Sequence, residues 1–118
     1  MFDVKHETIK NCEVLNVWQK LPTLYNEYTI ELVERKKDTC FPEYHEIKIQ
    51  SSKLYDELLE LKQNKKDRCV LAHGMADIDI YRKGKGYIIE NSPNEGLYLY
   101  YEINTKEFDS ILNALMPR

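Results

Sequence analysis

Cysteine, glycine and proline are all scarce in this chain, and long apolar runs are missing. The three cysteines, Cys12, Cys40 and Cys69, are an odd number, far apart, with no C-x-x-C pair. That excludes a disulfide framework and fits reduced thiols. Four glycines and four prolines, spread singly or at turns, leave no room for a low-complexity segment or a flexible linker. No apolar run approaches the roughly 20 residues that a membrane-crossing helix needs. The opening residues, MFDVKHETIKN, carry acids early and have no apolar h-region, so no secretory signal is expected and a cytoplasmic location is the default. No G-x-G-x-x-G or G-K-[ST] loop is present, so RKGKG (82–86) reads as a hairpin turn with solvated charges and not as a phosphate cradle. No nucleophile elbow is recognisable, and no enzyme is expected.

What is present is a globular composition. With 118 residues, 42% apolar and 31% charged, the chain is long enough for one core and is read as a single domain, 1–118. The net charge is only −3, but it is unevenly placed. Up to Gly86 the chain holds 15 basic and 15 acidic side chains; beyond it, Glu90, Glu95, Glu102, Glu107 and Asp109 face only Lys106 and Arg118. A phosphate backbone is repelled by that C-terminal stretch, so direct nucleic-acid binding is not expected, whereas a basic protein suits it.

Periodicity places the elements. Val14, Val17, Trp18 and Leu21 follow i, i+3, i+4, i+7 and predict a helix over about Glu7–Lys20, stopped before Pro22. Residues 23–36 fit either helix or strand; the β-branched Thr29, Ile30 and Val33 favour strand. KKDTCFPEY is a loop, and HEIKIQ alternates into Ser51–Ser52, a candidate helix cap. The helix KLYDELLELKQNKK carries a Leu54, Leu58, Leu61 stripe, with Lys62, Lys65 and Lys66 at the negative end of its dipole. Four strands follow, RCVLAH, ADIDIYR, GYIIEN and LYLYYEI, punctuated by KGKG and SPNEG. A final helix starts at Asn104 or Thr105, where NTKE predicts a capping box with Glu107 reaching back to the cap, and buries Phe108, Ile111, Leu112 and Leu115. The expected fold is α+β, an antiparallel meander of about five or six strands with two or three helices on one face.

Strand alternation then sorts the side chains. Leu97, Leu99, Tyr101 and Ile103 share the core side of the last strand, as do Ala76, Ile78 and Ile80 on ADIDIYR and Tyr87 and Ile89 on GYIIEN. The opposite side gathers Asp77, Asp79, Tyr81, Glu90, Tyr98, Tyr100 and Glu102. Acids interleaved with tyrosines make a partner-binding face: the rings offer area at small entropic cost, and the carboxylates steer and pair with cations. The alternative is a wet sheet face kept soluble by its acids.

Three metal arrangements are also written in the sequence. Cys40, His45, Cys69 and His73 make C-x4-H and C-x3-H pairs that would offer four zinc ligands if they met. Glu46-Ile47-Lys48, with Asp38 upstream, is the E-x-K of metal-dependent nucleases, and Asp77 with Asp79 would share a strand face. Because none of these patterns is complete, no metal or cofactor is expected.

The last third, GKGYIIENSPNEGLYLYYEINTKEFDSILNAL, resembles the C-terminal half of small bacterial immunity proteins, including those of contact-dependent growth inhibition systems. These end in a tyrosine-bearing strand, an acid and an EF-x-x-(I/L)-L helix, matched here by Tyr100, Tyr101, Glu102, Glu107, Phe108, Ile111 and Leu112. The resemblance covers about a quarter of the chain and implies a cytoplasmic, non-enzymatic antitoxin that blocks a basic toxin domain, commonly a nuclease. The alternatives are a small-ligand-binding or regulatory domain, with the tyrosines lining a pocket, and a metal-dependent nuclease using Glu46 and Lys48.

Overall fold

A computed structural model describes residues 9–19, 26–35, 41–94 and 96–116. Seven strands and two helices follow in the order β1 (Ile9–Gln19), β2 (Glu27–Glu34), β3 (Tyr44–Gln50), α1 (Leu54–Lys62), β4 (Arg68–His73), β5 (Ala76–Lys83), β6 (Gly86–Asn94), β7 (Leu97–Asn104) and α2 (Thr105–Leu115). Each strand pairs antiparallel with the next, and β7 returns to β1 in parallel, with Ile9 opposite Tyr100 and Asn11 opposite Glu102. The meander therefore closes into a barrel. The α+β class holds; the strand number is seven, above the five or six expected.

The extra strand is the segment expected to be a helix. β1 carries a register shift between Val14 and Asn16, a bulge that puts one additional residue on its side of the ladder. Cys12 and Val14 point into the core at a spacing of two, but the next inward residue is Val17, three positions on. A strand interrupted by a bulge thus imitates the first step of a helical stripe. Trp18 lies on the outside, 41% exposed, across from the buried Thr29 of β2. Leu21 lies outside the described residues. The ambiguous segment resolves as the strand β2, with Ile30 and Leu32 buried.

β3 and β4 are joined by a single register pair, Gln50 with Ala72, because α1 is inserted between them. The two helices bring Leu54, Leu58, Leu61, Phe108, Ile111 and Leu112 into one cluster with the inward strand residues Ile30, Leu32, Ile47, Ile49, Cys69, Ile78, Ile80, Tyr87, Ile89, Tyr101 and Ile103. α2 packs on β1, β6, β7 and α1. Its Phe108 stacks on Tyr87 with centroids 3.7 Å apart. Full burial of Phe108, Ile111 and Leu112 contributes about 5–9 kcal/mol relative to an extended chain, enough to hold a three-turn helix whose own propensity is marginal.

The caps differ from expectation in an informative way. α1 starts at Lys53 without a side-chain cap; Ser51 Oγ accepts the Lys53 N–H at 3.2 Å instead. In α2 the Asn104 side chain accepts the Glu107 N–H at 2.8 Å, as the capping box requires. Glu107 does not reach back. Its carboxylate accepts the backbone N–H of Val14 at 2.7 Å, next to the β1 bulge, where the ladder is interrupted. A tertiary donor has captured the side chain that the local motif assigned to the cap.

Candidate functional site

The turn Gly84–Lys85 connects Lys83 of β5 to Gly86 of β6, and Gly84 takes a φ of 58°, which favours glycine. This hairpin fixes the register that assembles the outer face. Val70, Asp79, Glu90 and Tyr100 are successive partners across β4–β7, and the adjacent row runs Arg68, Tyr81, Ile88, Glu102. Asp77 lies opposite Ser92, at the end of the same face. Tyr98 sits where the β6–β7 register shifts, two residues before Tyr100 on its side of the strand, and is 47% exposed. All seven residues named from the sequence, Asp77, Asp79, Tyr81, Glu90, Tyr98, Tyr100 and Glu102, fall on this one face.

The face is less acidic than its strands imply, because Arg68 lies in its middle. Arg68 Nη1 is 2.5 Å from Asp79 Oδ2 and 4.0 Å from Glu90 Oε1, and its guanidinium lies 4.2 Å from the centre of the Tyr81 ring. Tyr81 Oη in turn donates to Glu90 Oε1 at 3.3 Å. Burial, then the Glu90 carboxylate, pushes the Tyr81 hydroxyl above its ordinary range. The hydrogen bond that Arg68 donates to the Asp79 carboxylate holds the guanidinium above its ordinary range. Ile88, between Tyr81 and Glu102, is buried although it points away from the core cluster. The face is therefore an ordered network around one guanidinium, flanked by the exposed Asp77, Tyr98 and Val70. Sequence reading passed over Arg68, yet a signal existed: the alternation that buries Cys69 and Leu71 turns Arg68 and Val70 outward.

Beyond Glu102 the sign of charge reverses. A cavity of about 400 Å³ is lined by Asn11, Arg35, Lys83 to Gly86 and Glu102 to Asn104. Arg35 is held there by Glu107 at 3.4 Å and Glu13 at 3.7 Å. Acidic and basic side chains thus adjoin at Glu102.

The other candidates separate. Cys40 and Asp38 lie outside the described residues. Cys69 donates its thiol to the Glu57 carbonyl at 3.1 Å, and His73 stands 3.5 Å from Glu27. His45 is near the opposite end of β3 from the Gln50–Ala72 pair that anchors β4. Four residues of strand, about 13 Å, divide its position from that of His73, so the proposed zinc set does not assemble. Glu46 and Lys48 are exposed on the outside of β3, across from Glu31 and Thr29. Burial pushes the Cys12 thiol up to about 12, helped by Glu34, and the Cys69 thiol up to about 11. Both are protonated at neutral pH and are poor nucleophiles.

No protein-family model matches the chain, and neither does any curated protein or solved structure.

Proposed function

We propose that the chain is a non-enzymatic binding protein of the immunity or antitoxin type, cytoplasmic, which neutralises a basic toxin domain by occupying it with the outer face of β4–β7. The observation that carries this reading is the convergence of Asp77, Asp79, Glu90 and Glu102 with Tyr81, Tyr98 and Tyr100 on one register-locked surface. Arg68 adds to it. A guanidinium already held there by a carboxylate and the face of a tyrosine is the contact a basic partner would repeat at its neighbours. A nuclease domain must be basic to hold its own substrate, and an acidic face competes for that surface.

The roles divide by exposure. Asp77 and Glu102 supply long-range attraction; Tyr98, nearly half exposed, is the anchor that a partner buries. Asp79 and Tyr81 are engaged with Arg68 and act by holding the network rigid. The reading is tested by binding kinetics against the cognate toxin domain. Glu102→Lys is expected to slow association and flatten its salt dependence, and Tyr98→Ala to speed dissociation by about tenfold. Unchanged kinetics in both variants would remove this face from the interface.

A further inference from the structure

The end of the β2–β3 hairpin gathers a group of side chains that the outer face does not use. Glu34 closes β2, and its backbone N–H donates to the carbonyl of Glu43, 2.9 Å away and just ahead of β3. His45 follows on β3, in register with Leu32 and on the inward side that also carries Ile47 and Ile49. The antiparallel pairing thus delivers positions 34, 43 and 45 to one place. His45 Nε2 lies 3.0 Å from Glu34 Oε1 and 4.0 Å from Glu43 Oε2. The ligating atoms of the three residues lie within 4.8 Å of one another. Among the described residues no other group of three or more His, Cys, Asp or Glu is so placed.

The geometry points to a divalent-metal site of the zinc class, with Glu34, Glu43 and His45 as the protein ligands and water completing the shell. Bonds of about 2.0–2.2 Å set the ligating atoms of one ion about 3–4.4 Å apart. The trio reaches that range with a small swing of Glu43, whose side chain is 56% exposed. Glu34 is different: its side chain is only 9% exposed and already faces the Lys10 ammonium and the His45 ring, a setting that favours positive charge. The His45 ring rests against Tyr101, centroids 5.1 Å apart and planes tilted by 53°, which fixes where Nε2 points. An imidazole with two carboxylates suits zinc better than calcium or magnesium, which prefer oxygen alone.

Lys10 Nζ, 3.6 Å from the same Glu34 oxygen, is the resident cation of the site, and both glutamates have further partners. An entering ion exchanges with these contacts, so its affinity measures that exchange. Once bound, it ties the end of β2 to the start of β3 across the sequence 36–40. The site lies on β2–β3 and not on the β4–β7 face, so its failure would leave the binding-protein reading intact.

The test is titration of the reduced full chain with zinc chloride by calorimetry, paired with thermal melts with and without the ion. One equivalent of zinc is expected to bind, with a rise of several degrees in melting temperature at saturation. His45→Gln and Glu43→Gln should each weaken binding by about tenfold or more, while Glu46→Gln, on the outer side of the same strand, should match the parent. Glu43 is exposed, so its variant folds whatever becomes of His45→Gln. Absence of zinc binding would overturn the proposal. So would an affinity unchanged in Glu43→Gln and His45→Gln, which would place the ion elsewhere on the chain.

Discussion

Replacing Glu107 by alanine removes two contacts that tie α2 to the barrel. The larger is the carboxylate's bond to the Val14 N–H at 2.7 Å, made with a side chain only 16% exposed. A hydrogen bond to a charged group in such a setting contributes about 1.5–3 kcal/mol, and its loss leaves the bulge N–H of β1 unpaired. The smaller is the Arg35 pair at 3.4 Å; Arg35 is 38% exposed, so screening holds this contribution to about 0.5 kcal/mol. Together they predict a loss of about 2–3.5 kcal/mol. At about 4 °C per kcal/mol for a chain of this size, the melting temperature falls by roughly 8–14 °C. Asn104→Ala, which removes only the helix cap at 2.8 Å, should cost about 1 kcal/mol. Glu107→Gln keeps a neutral acceptor and should fall between the two. Scanning calorimetry and urea unfolding of the three variants decide the matter. If Glu107→Ala loses no more than Asn104→Ala, Glu107 is a helix-capping residue after all and the clamp on β1 is refuted.

Gly86→Ala should be among the most damaging small substitutions, because a Cβ there would sit 2.5 Å from the Ile103 carbonyl oxygen of β7. Backbone cannot yield as a side chain does, so urea unfolding should show a loss of about 2–3 kcal/mol; a loss under about 0.5 kcal/mol would mean that β6 and β7 are not so close. The pH dependence follows from the two buried thiols, whose ordinary value is 9.0 and which burial pushes up to about 12 at Cys12 and about 11 at Cys69. Above pH 9 the unfolded chain releases protons that the folded chain keeps, so stability is full below that pH and declines as pH rises toward 11–12. Urea midpoints measured from pH 7 to 10.5 should fall less steeply above pH 9 in Cys12→Ala than in the parent; parallel slopes would contradict the burial argument.

Where alternation ran unbroken, the sequence was transparent. β5, β6 and β7 bury Ile78, Ile80, Tyr87, Ile89, Tyr101 and Ile103 on the side their period of two dictates, and the helices bury Leu54, Leu58, Leu61, Phe108, Ile111 and Leu112, with Leu115 partly buried. Leu97, expected on the core side as well, is 42% exposed, because it lies beyond the β6–β7 register shift. β1 was misread because its bulge inserts a residue between Val14 and Asn16, which converts a spacing of two into a spacing of three. Barrel closure had no local signal either: the parallel pairing of Ile9 with Tyr100 joins segments about 90 residues apart, and nothing in either strand names its partner. The candidate face was legible as a set of outward residues, but its chemistry was not. Arg68 reaches Asp79 across the β4–β5 register, and only the folded chain shows that the guanidinium, the ring of Tyr81 and the two carboxylates meet. The metal-type patterns failed for the same reason in reverse. Cys/His spacing along the chain took no account of a strand long enough to hold His45 away from His73.

The binding role of the outer face is tested most directly by paired affinity capture from lysate of the source cells. The parent chain and a Tyr98→Ala, Glu102→Lys double variant would be used as baits, each at low salt and at roughly half-molar salt, where exposed charges are largely screened. The account predicts one basic protein, near-stoichiometric on the parent at low salt, weakened at high salt and lost from the variant. Equal recovery of that protein on both baits at both salts, or no specific capture from cells shown to make both proteins, would contradict it.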